Sequence, residues 1–287
     1  MDNQIKRRKP LFSAVNFKET YIFLFLVIWA FIVLFPILWA FLASLKPREE
    51  IFTLDLKWLP KNPTLENYKA IFADPKIMRF FSNTLIVSFL STFVIVILAT
   101  CAGYGFSRYK IKAGKTALVI LVACQMFPPI MFIVPYFILM KDLNLYNTLS
   151  ALVVTRVVFY LPFCTLMIKS FFDSIPRDLE EAATVDGCSQ FGTFLRIILP
   201  VVRTGVVTIF IFSFLNSWNE FLFSITVVSR DSLRTITVGL ASQVGQYGVN
   251  WGTLMSMSMM SLAPPLIIFI SMQKYFIRGL TAGAVKA

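Results

Sequence analysis

Between two long apolar stretches the chain runs Pro176-Arg177-Asp178-Leu179-Glu180-Glu181-Ala182-Ala183-Thr184-Val185-Asp186-Gly187, and the reading of this segment decides the fold around it. Pro176 suits the first turn of a helix, which has no use for its missing N–H. Asp178, Glu180 and Glu181 follow at the positive end of the helix dipole. Leu179, Ala182, Ala183 and Asp186 recur at i, i+3, i+4 and i+7, which sets them on one face, and Gly187 is a natural C-terminal stop. The pattern predicts a short helix, roughly 16 Å long at about 1.5 Å per residue, with a small flat face and an acidic rim. A second helical stretch, over about 190–198, leads to Pro200. So ordered a segment suits a docking surface, where alanines let a partner backbone come close and a glutamate orients it. It also suits a cap over the protein's own helix ends.

On either side lie runs long enough to cross a bilayer, which takes about 20 apolar residues. Charge-free runs cover 21–45, 80–107, 116–140 and 253–273, and 147–168 and 206–229 each carry one charge, Arg156 and Glu220. The expected fold is therefore an all-α membrane protein with six transmembrane helices. Prolines inside the runs, such as Pro36, Pro128, Pro129 and Pro162, are tolerated where neighbouring helices satisfy the freed carbonyls. The first run follows Lys6-Arg7-Arg8-Lys9 as a secretion signal would. Its 25 uncharged residues far exceed the roughly 7–15 of a signal's apolar region, so it reads as an uncleaved first span.

Orientation follows from the cations. Lys6, Arg7, Arg8, Lys9 and Lys18 precede the first run, and Arg108, Lys110, Lys112 and Lys115 fill the second connection without an acid. Such segments stay in the cytoplasm. N- and C-termini are then both cytoplasmic, with connections 46–79, 141–146 and 230–252 outside. In the first of these, Thr64 can cap a short helix whose Leu65, Tyr68, Ile71 and Phe72 share a face, lying flat at the outer interface. The expected organisation is a cytoplasmic segment 1–19, a first transmembrane helix 20–45, an outer loop 46–79, a helical core 80–273 containing the connection 169–203, and a cytoplasmic tail 274–287.

Composition agrees. The chain of 287 residues is 57% hydrophobic and only 15% charged, against about 25% in soluble domains. Mean hydropathy is +0.74. A net charge of +12 would suit nucleic acid, but the cations sit in short segments between apolar runs, so no nucleic-acid partner is expected; membrane lipid is. There is no histidine, and Cys101, Cys124, Cys164 and Cys188 show neither CxxC nor metal-ligand spacing, which excludes histidine triads and the usual zinc sites. Gly114-Lys115-Thr116 imitates the end of a phosphate-binding loop, but Tyr109 holds the first glycine position, so no ATP site is expected on this chain. Gly103 and Gly105 read as close-packing positions, and Met255, Met257, Met259 and Met260 as lipid- or core-facing.

Glu181-Ala182-Ala183, three residues, Gly187, nine residues, Ile197, one residue and Leu199-Pro200 together resemble the EAA loop of ABC importer permeases, with seven fixed positions matched. Asn62-Pro63-Thr64-Leu65-Glu66-Asn67-Tyr68, Trp218-Asn219-Glu220-Phe221 and the tail from Arg278 to Lys286 are similar to the carbohydrate-uptake branch, and to the smaller maltose permease type in particular. The resemblance runs from about residue 20 to the end. It implies a MetI-like permease core of spans two to six in the bacterial cytoplasmic (inner) membrane, with span one wrapping a second permease. It also implies two ATPase subunits and an extracytoplasmic solute-binding protein. ATP and Mg would sit on the partner subunits, with no cofactor bound by this chain, which would not be an enzyme. The implied ATPase-coupling residues are Glu181, Ala182, Ala183, Asp186, Gly187, Leu199 and Pro200; closure of the ATPases would move this lever and rock the bundle. In the maltose type the last outer loop also probes the binding protein, which makes Gln243, Gln246, Tyr247 and Asn250 candidates here.

A charge within a span costs about 2.5–3.5 kcal/mol on insertion scales, so Arg156 and Glu220 should face protein or water. Arg156 fits a donor lining the solute path. It equally fits a structural contact to helix carbonyls or to Glu220, or a place nearer the outer interface. Glu220, beside Asn219 and Trp218, fits either sugar contact or hydrogen bonding between spans. The expected function is a permease subunit for a sugar or oligosaccharide, with Arg156 leaving glycerol phosphate or acidic saccharides open. An ion-coupled secondary transporter would want several intramembrane carboxylates or a histidine. A membrane enzyme would need a reactive cluster at the bilayer edge.

Overall fold

The computed structural model of the protein describes residues 17–51, 58–245 and 248–284, with side chains described from residue 20 to 274 within those ranges. Four helices are each long and apolar enough to cross a membrane: α1 (Phe17–Ser44), α3 (Pro75–Arg108), α6 (Leu149–Asp173) and α12 (Trp251–Ala284). The short α2 (Glu66–Ala73) precedes α3. Two bent pairs bring the number of candidate spans to as many as six. One is α4 (Gly114–Met126) with α5 (Ile133–Asp142), the other α8 (Gln190–Val201) with α9 (Arg203–Asn219).

The 116–140 run, expected as one span, is two helices bent by 95°. Pro128 and Pro129 cause it. A residue before proline is pushed out of the helical region, and Phe127 is extended at φ −90, ψ 127. The 206–229 run also stops early. Helix α9 ends at Asn219, Glu220 is extended, and α10 (Leu222–Val227) restarts beyond it.

Helices α3 and α6 form the most extensive pair, and α9 packs across both. Among lipid tails there is little hydrophobic drive between helices, so close packing and interhelical hydrogen bonds carry the association. The sequence supplies both. A Cβ on Gly103 would sit 2.5 Å from Ile168 Cγ2, and one on Gly205 2.6 Å from Phe171 Cγ. Gly105 has no neighbour within 4 Å, so the packing role expected for it falls to Gly103 alone. Along α3 the buried face carries Asn83, Thr84, Ser88, Ser91 and Thr92. Ser91 Oγ donates to Ser217 Oγ of α9 at 3.2 Å, and Thr84 Oγ1 accepts from Ile236 N at 2.7 Å. One apolar cluster, around Ile95, Cys164, Ile168, Phe172 and Ile209, fills one end of the bundle. Two more, around Leu152 and Phe223 and around Phe80 and Trp218, fill the other.

Helix α1 is apolar and exposed from residue 20 to 38, and it packs against α12. Hydrogen bonds tie down its end: Ser44 Oγ lies 2.7 Å from Tyr68 Oη, and Asn67 Nδ2 donates to the Ser44 and Lys46 carbonyls. Helix α2 forms as expected, with Thr64 Oγ1 accepting from Glu66 N at 3.1 Å. Its expected face is only half used, since Ile71 is buried while Leu65 and Phe72 are exposed. Among the methionines singled out, Met257 is fully buried.

Candidate coupling surface and buried ion pair

The acidic segment folds into helix α7 (Asp178–Val185). Its end is fixed by Gly187 at φ +80, a conformation that favours glycine. Gly187 N donates to Thr184 O and Cys188 N to Ala183 O, the paired bonds of a left-handed C-cap. One residue departs from the expected face: Ala183 is 3% exposed and turned inward, while Leu179, Ala182 and Asp186 are exposed, as are Asp178, Glu181 and Val185, the last at 87%.

The reason is Glu180. Its carboxylate pairs with Arg108 Nε at the end of α3 and accepts from Tyr104 Oη at 3.2 Å. Arg108 Nη2 also donates to Ile175 O at 3.0 Å, and Ser107 Oγ to Asp173 Oδ1 at 2.7 Å. Glu180 and Ala183 lie three apart and share a face, so this anchor sets the rotation of α7. Sequence reasoning missed Glu180 because its neighbour Glu181 carries the motif. The signal available was the cationic end of the 80–107 run, which needs a partner once folded.

Beyond α7, Ser189 Oγ accepts from Gly192 N and starts α8. Proline inside a helix clashes with the carbonyl four residues back. Here residues Phe194–Ile198 form a π turn just ahead of Pro200, which shifts the ladder, and α8 then meets α9 at 75°. Leu199 and Pro200 therefore stand at an elbow, away from the exposed face of α7.

The second feature is the pair of charges inside the bundle. Arg156 Nη2 lies 3.0 Å from Glu220 Oε2, with the two side chains 1% and 8% exposed. Arg156 also donates to Ser224 Oγ at 2.8 Å and to Leu152 O at 3.3 Å. Glu220 accepts from Phe223 N at 2.6 Å and from Ser224 N at 3.2 Å. The carboxylate thus satisfies the orphan donors that open α10, where a negative charge is favoured. Glu220 is placed by the break between α9 and α10, and Arg156 braces that break from α6. Both charges border a cavity of about 310 Å³ walled by Pro129, Phe159, Tyr160 and Phe221. Asn219 does not line it; it is exposed, and its Nδ2 donates to Leu215 O at 2.9 Å.

At the opposite end from α7, Lys76 Nζ pairs with Asp231 Oδ2 at 2.6 Å, and Arg234 Nη1 lies 3.0 Å from Asp231 Oδ1. The Lys76 hydrogen bond, aided by the Arg234 charge, holds the Asp231 carboxyl below the usual carboxylate range. Past α11 (Ile236–Ala241), the strands β1 (Val244–Gly245) and β2 (Gly248–Val249) pair antiparallel. Gln243 and Asn250 flank this hairpin, and Asn250 Oδ1 accepts from Thr253 N at 3.3 Å. Gln246 and Tyr247 lie outside the described residues.

The sequence model of the family described as "Binding-protein-dependent transport system inner membrane component" matches residues 95–282. The chain belongs to this family. Similar proteins include the sulfoquinovosyl glycerol transport system permease protein SmoH of Agrobacterium fabrum, 36% identical over 85% of this permease and 86% of that one. The arabinooligosaccharides transport system permease protein AraQ of Bacillus subtilis is 32% identical over 98% of this permease and 99% of that one. In fold, this permease matches a chain from the crystal structure of a bacterial ABC transporter involved in the import of the acidic polysaccharide alginate. That match has a TM-score of 0.78 at 19% identity and covers 93% of this permease and 100% of that chain. The matched family region contains α7, Glu220 and Arg156, so both features lie in the permease core. Among the described residues no cluster of histidine, cysteine and acidic side chains suits a metal.

Proposed function

We propose that the protein is one of two permease subunits of an ATP-driven saccharide importer, crossing the bacterial cytoplasmic membrane six times with both termini in the cytoplasm. Helix α7 takes up motion from a partner ATPase, which holds the ATP and Mg, and α8 and α9 carry it into the bundle. The observation that carries this reading is the division of labour on α7. Glu180 and Ala183 bind it to its own protein, while Asp178, Glu181, Ala182 and Val185 stand exposed and unclaimed by the fold. A cap over the protein's own helix ends would instead bury Ala182 along with Ala183. The cationic stretch between α3 and α4 lies at the same end as α7, in keeping with a cytoplasmic location. A second, related permease would cover the exposed apolar α1. A solute-binding protein would meet the opposite end, where Gln243, Gln246, Tyr247 and Asn250 are proposed contacts.

The relatives that the permease resembles are named for glycosides and oligosaccharides. Ligand cavities are commonly apolar-walled with a few placed polar groups. The aromatic wall of Phe159, Tyr160 and Phe221 beside Arg156 and Glu220 fits a saccharide face and its hydroxyls. Because Glu220 already neutralises Arg156, a phosphate or carboxylate solute would find little net positive charge there.

The test is uptake into vesicles holding this permease with its partner permease and ATPases, supplied with the loaded binding protein. Uptake should require ATP, and Glu181→Lys or Gly187→Asp should abolish it or uncouple it from hydrolysis. Uptake driven by an ion gradient without ATPases would overturn the proposal.

A further inference from the structure

Helix α7 is joined covalently to only two spans. Residues 174–177 tie it to α6, and the elbow at Pro200 ties it, through α8, to α9. Helix α3 has no chain connection to it, yet α3 packs along α6 more extensively than any other helix. What links α3 to α7 is side-chain chemistry at one end of the bundle. Arg108, the last residue of α3, pairs through Nε with Glu180 and reaches Ile175 O with Nη2 at 3.0 Å. Tyr104, one turn earlier, donates to the other Glu180 oxygen at 3.2 Å. Arg177 Nη2 returns a contact to Ser107 O at 3.4 Å. The Arg108 and Glu180 side chains are only 7% and 19% exposed, so water does little to loosen them. A charged pair with shared hydrogen bonds is directional as well as strong, which lets it transmit displacement rather than slide.

We propose that Arg108 is a positioning residue that locks helix α7 to the end of α3, so that motion received at α7 reaches α3 together with the two spans joined to it by the chain. The adjacent glutamates then divide the work: Glu180 faces the bundle as the latch, and Glu181 faces the ATPase. With the latch open, the ATPase would still dock and still hydrolyse ATP, but α3 would lag behind α6 and α9 and the path would open incompletely.

This inference rests on the docking role of α7, and the experiment separates the two. The assembled transporter, with partner permease and ATPases, is reconstituted as Arg108→Ala, Glu180→Ala, Arg108→Glu and the reversed pair Arg108→Glu/Glu180→Arg. ATPase co-purification, ATP hydrolysis and solute uptake are measured on each. The single variants should retain the ATPases but consume roughly fivefold or more ATP per solute moved, the lower end of coupling between separated sites. The reversed pair should recover a substantial part of what Arg108→Glu loses. An unchanged ratio in both alanine variants, with assembly intact, would overturn the latch while leaving docking standing. So would loss of the ATPases from Arg108→Ala, which would make the pair a support for the surface only. Absence of ATPases from the unmodified transporter would instead overturn the docking reading itself.

Discussion

Replacing Glu220 with glutamine preserves shape and one acceptor oxygen but removes the charge opposite Arg156. The Arg156 side chain is 1% exposed, so water cannot substitute. The guanidinium keeps only Leu152 O and Ser224 Oγ as acceptors. Stranding a buried charge costs about 3–5 kcal/mol. Glutamine still accepts one N–H at the start of α10, so the lost cap adds about 1 kcal/mol at most. At roughly 2–4 °C per kcal/mol, the permease in detergent should melt about 6–24 °C lower. Arg156→Met should cost less, because the Glu220 carboxylate keeps Phe223 N, Ser224 N and Ser224 Oγ as donors. The double variant Arg156→Met/Glu220→Gln should then be more stable than Glu220→Gln alone, since no charge is left stranded. The assay is thermal unfolding followed by tryptophan fluorescence, with Trp218 buried near the break. If Glu220→Gln melts within about 2 °C of the parent, less than one kcal/mol is at stake and the bracing argument is wrong.

Three further outcomes follow from the same geometry. Gly205→Ala and Gly103→Ala push a methyl to 2.6 Å from Phe171 and 2.5 Å from Ile168, so each should destabilise by about 1–3 kcal/mol in the same melts, whereas Gly105→Ala should be neutral or better. Gly187→Ala forces a side chain into a left-handed conformation at a cost of about 1–2 kcal/mol. Nothing lies within 4 Å of that position, so strain without a clash is the whole cost: the melting temperature should fall by about 2–8 °C, and ATPase binding in a pull-down titration should weaken as the helix end shifts. The Asp231 carboxyl titrates below its unfolded value, so its contribution is present above the ordinary carboxylate range and lost as pH falls through and below it. The parent should therefore be more stable than Asp231→Asn above that range, and the two should coincide at low pH.

The six apolar runs were legible because length and lack of charge are one-dimensional properties, and each run does hold helix. The breaks were legible only in part. Pro128-Pro129 announces an interruption, but the 95° bend depends on how α5 packs against α10 and α4 against α6. At Glu220 no proline or glycine marks the end of α9, and the signal is a single charge whose pairing with Arg156 joins positions 64 residues apart. The two roles weighed for Arg156 meet in the structure, since an ion pair and a cavity wall are the same place. On α7 the helix and its glycine stop were readable from spacing. The inward turn of Ala183 was not, because it follows from the hold of Arg108 and Tyr104 on Glu180 from another helix, which periodicity within 176–187 cannot register.

The docking role of α7 is tested most directly by the accessibility of Val185, which is 87% exposed. With Cys101, Cys124, Cys164 and Cys188 replaced by alanine, a Val185→Cys permease is treated with a membrane-impermeant maleimide in inside-out vesicles, with and without the ATPase subunits. The account predicts ready labelling in their absence and strong protection once they bind. Labelling only from the outer side of the membrane, or equal labelling with and without the ATPases, would contradict it.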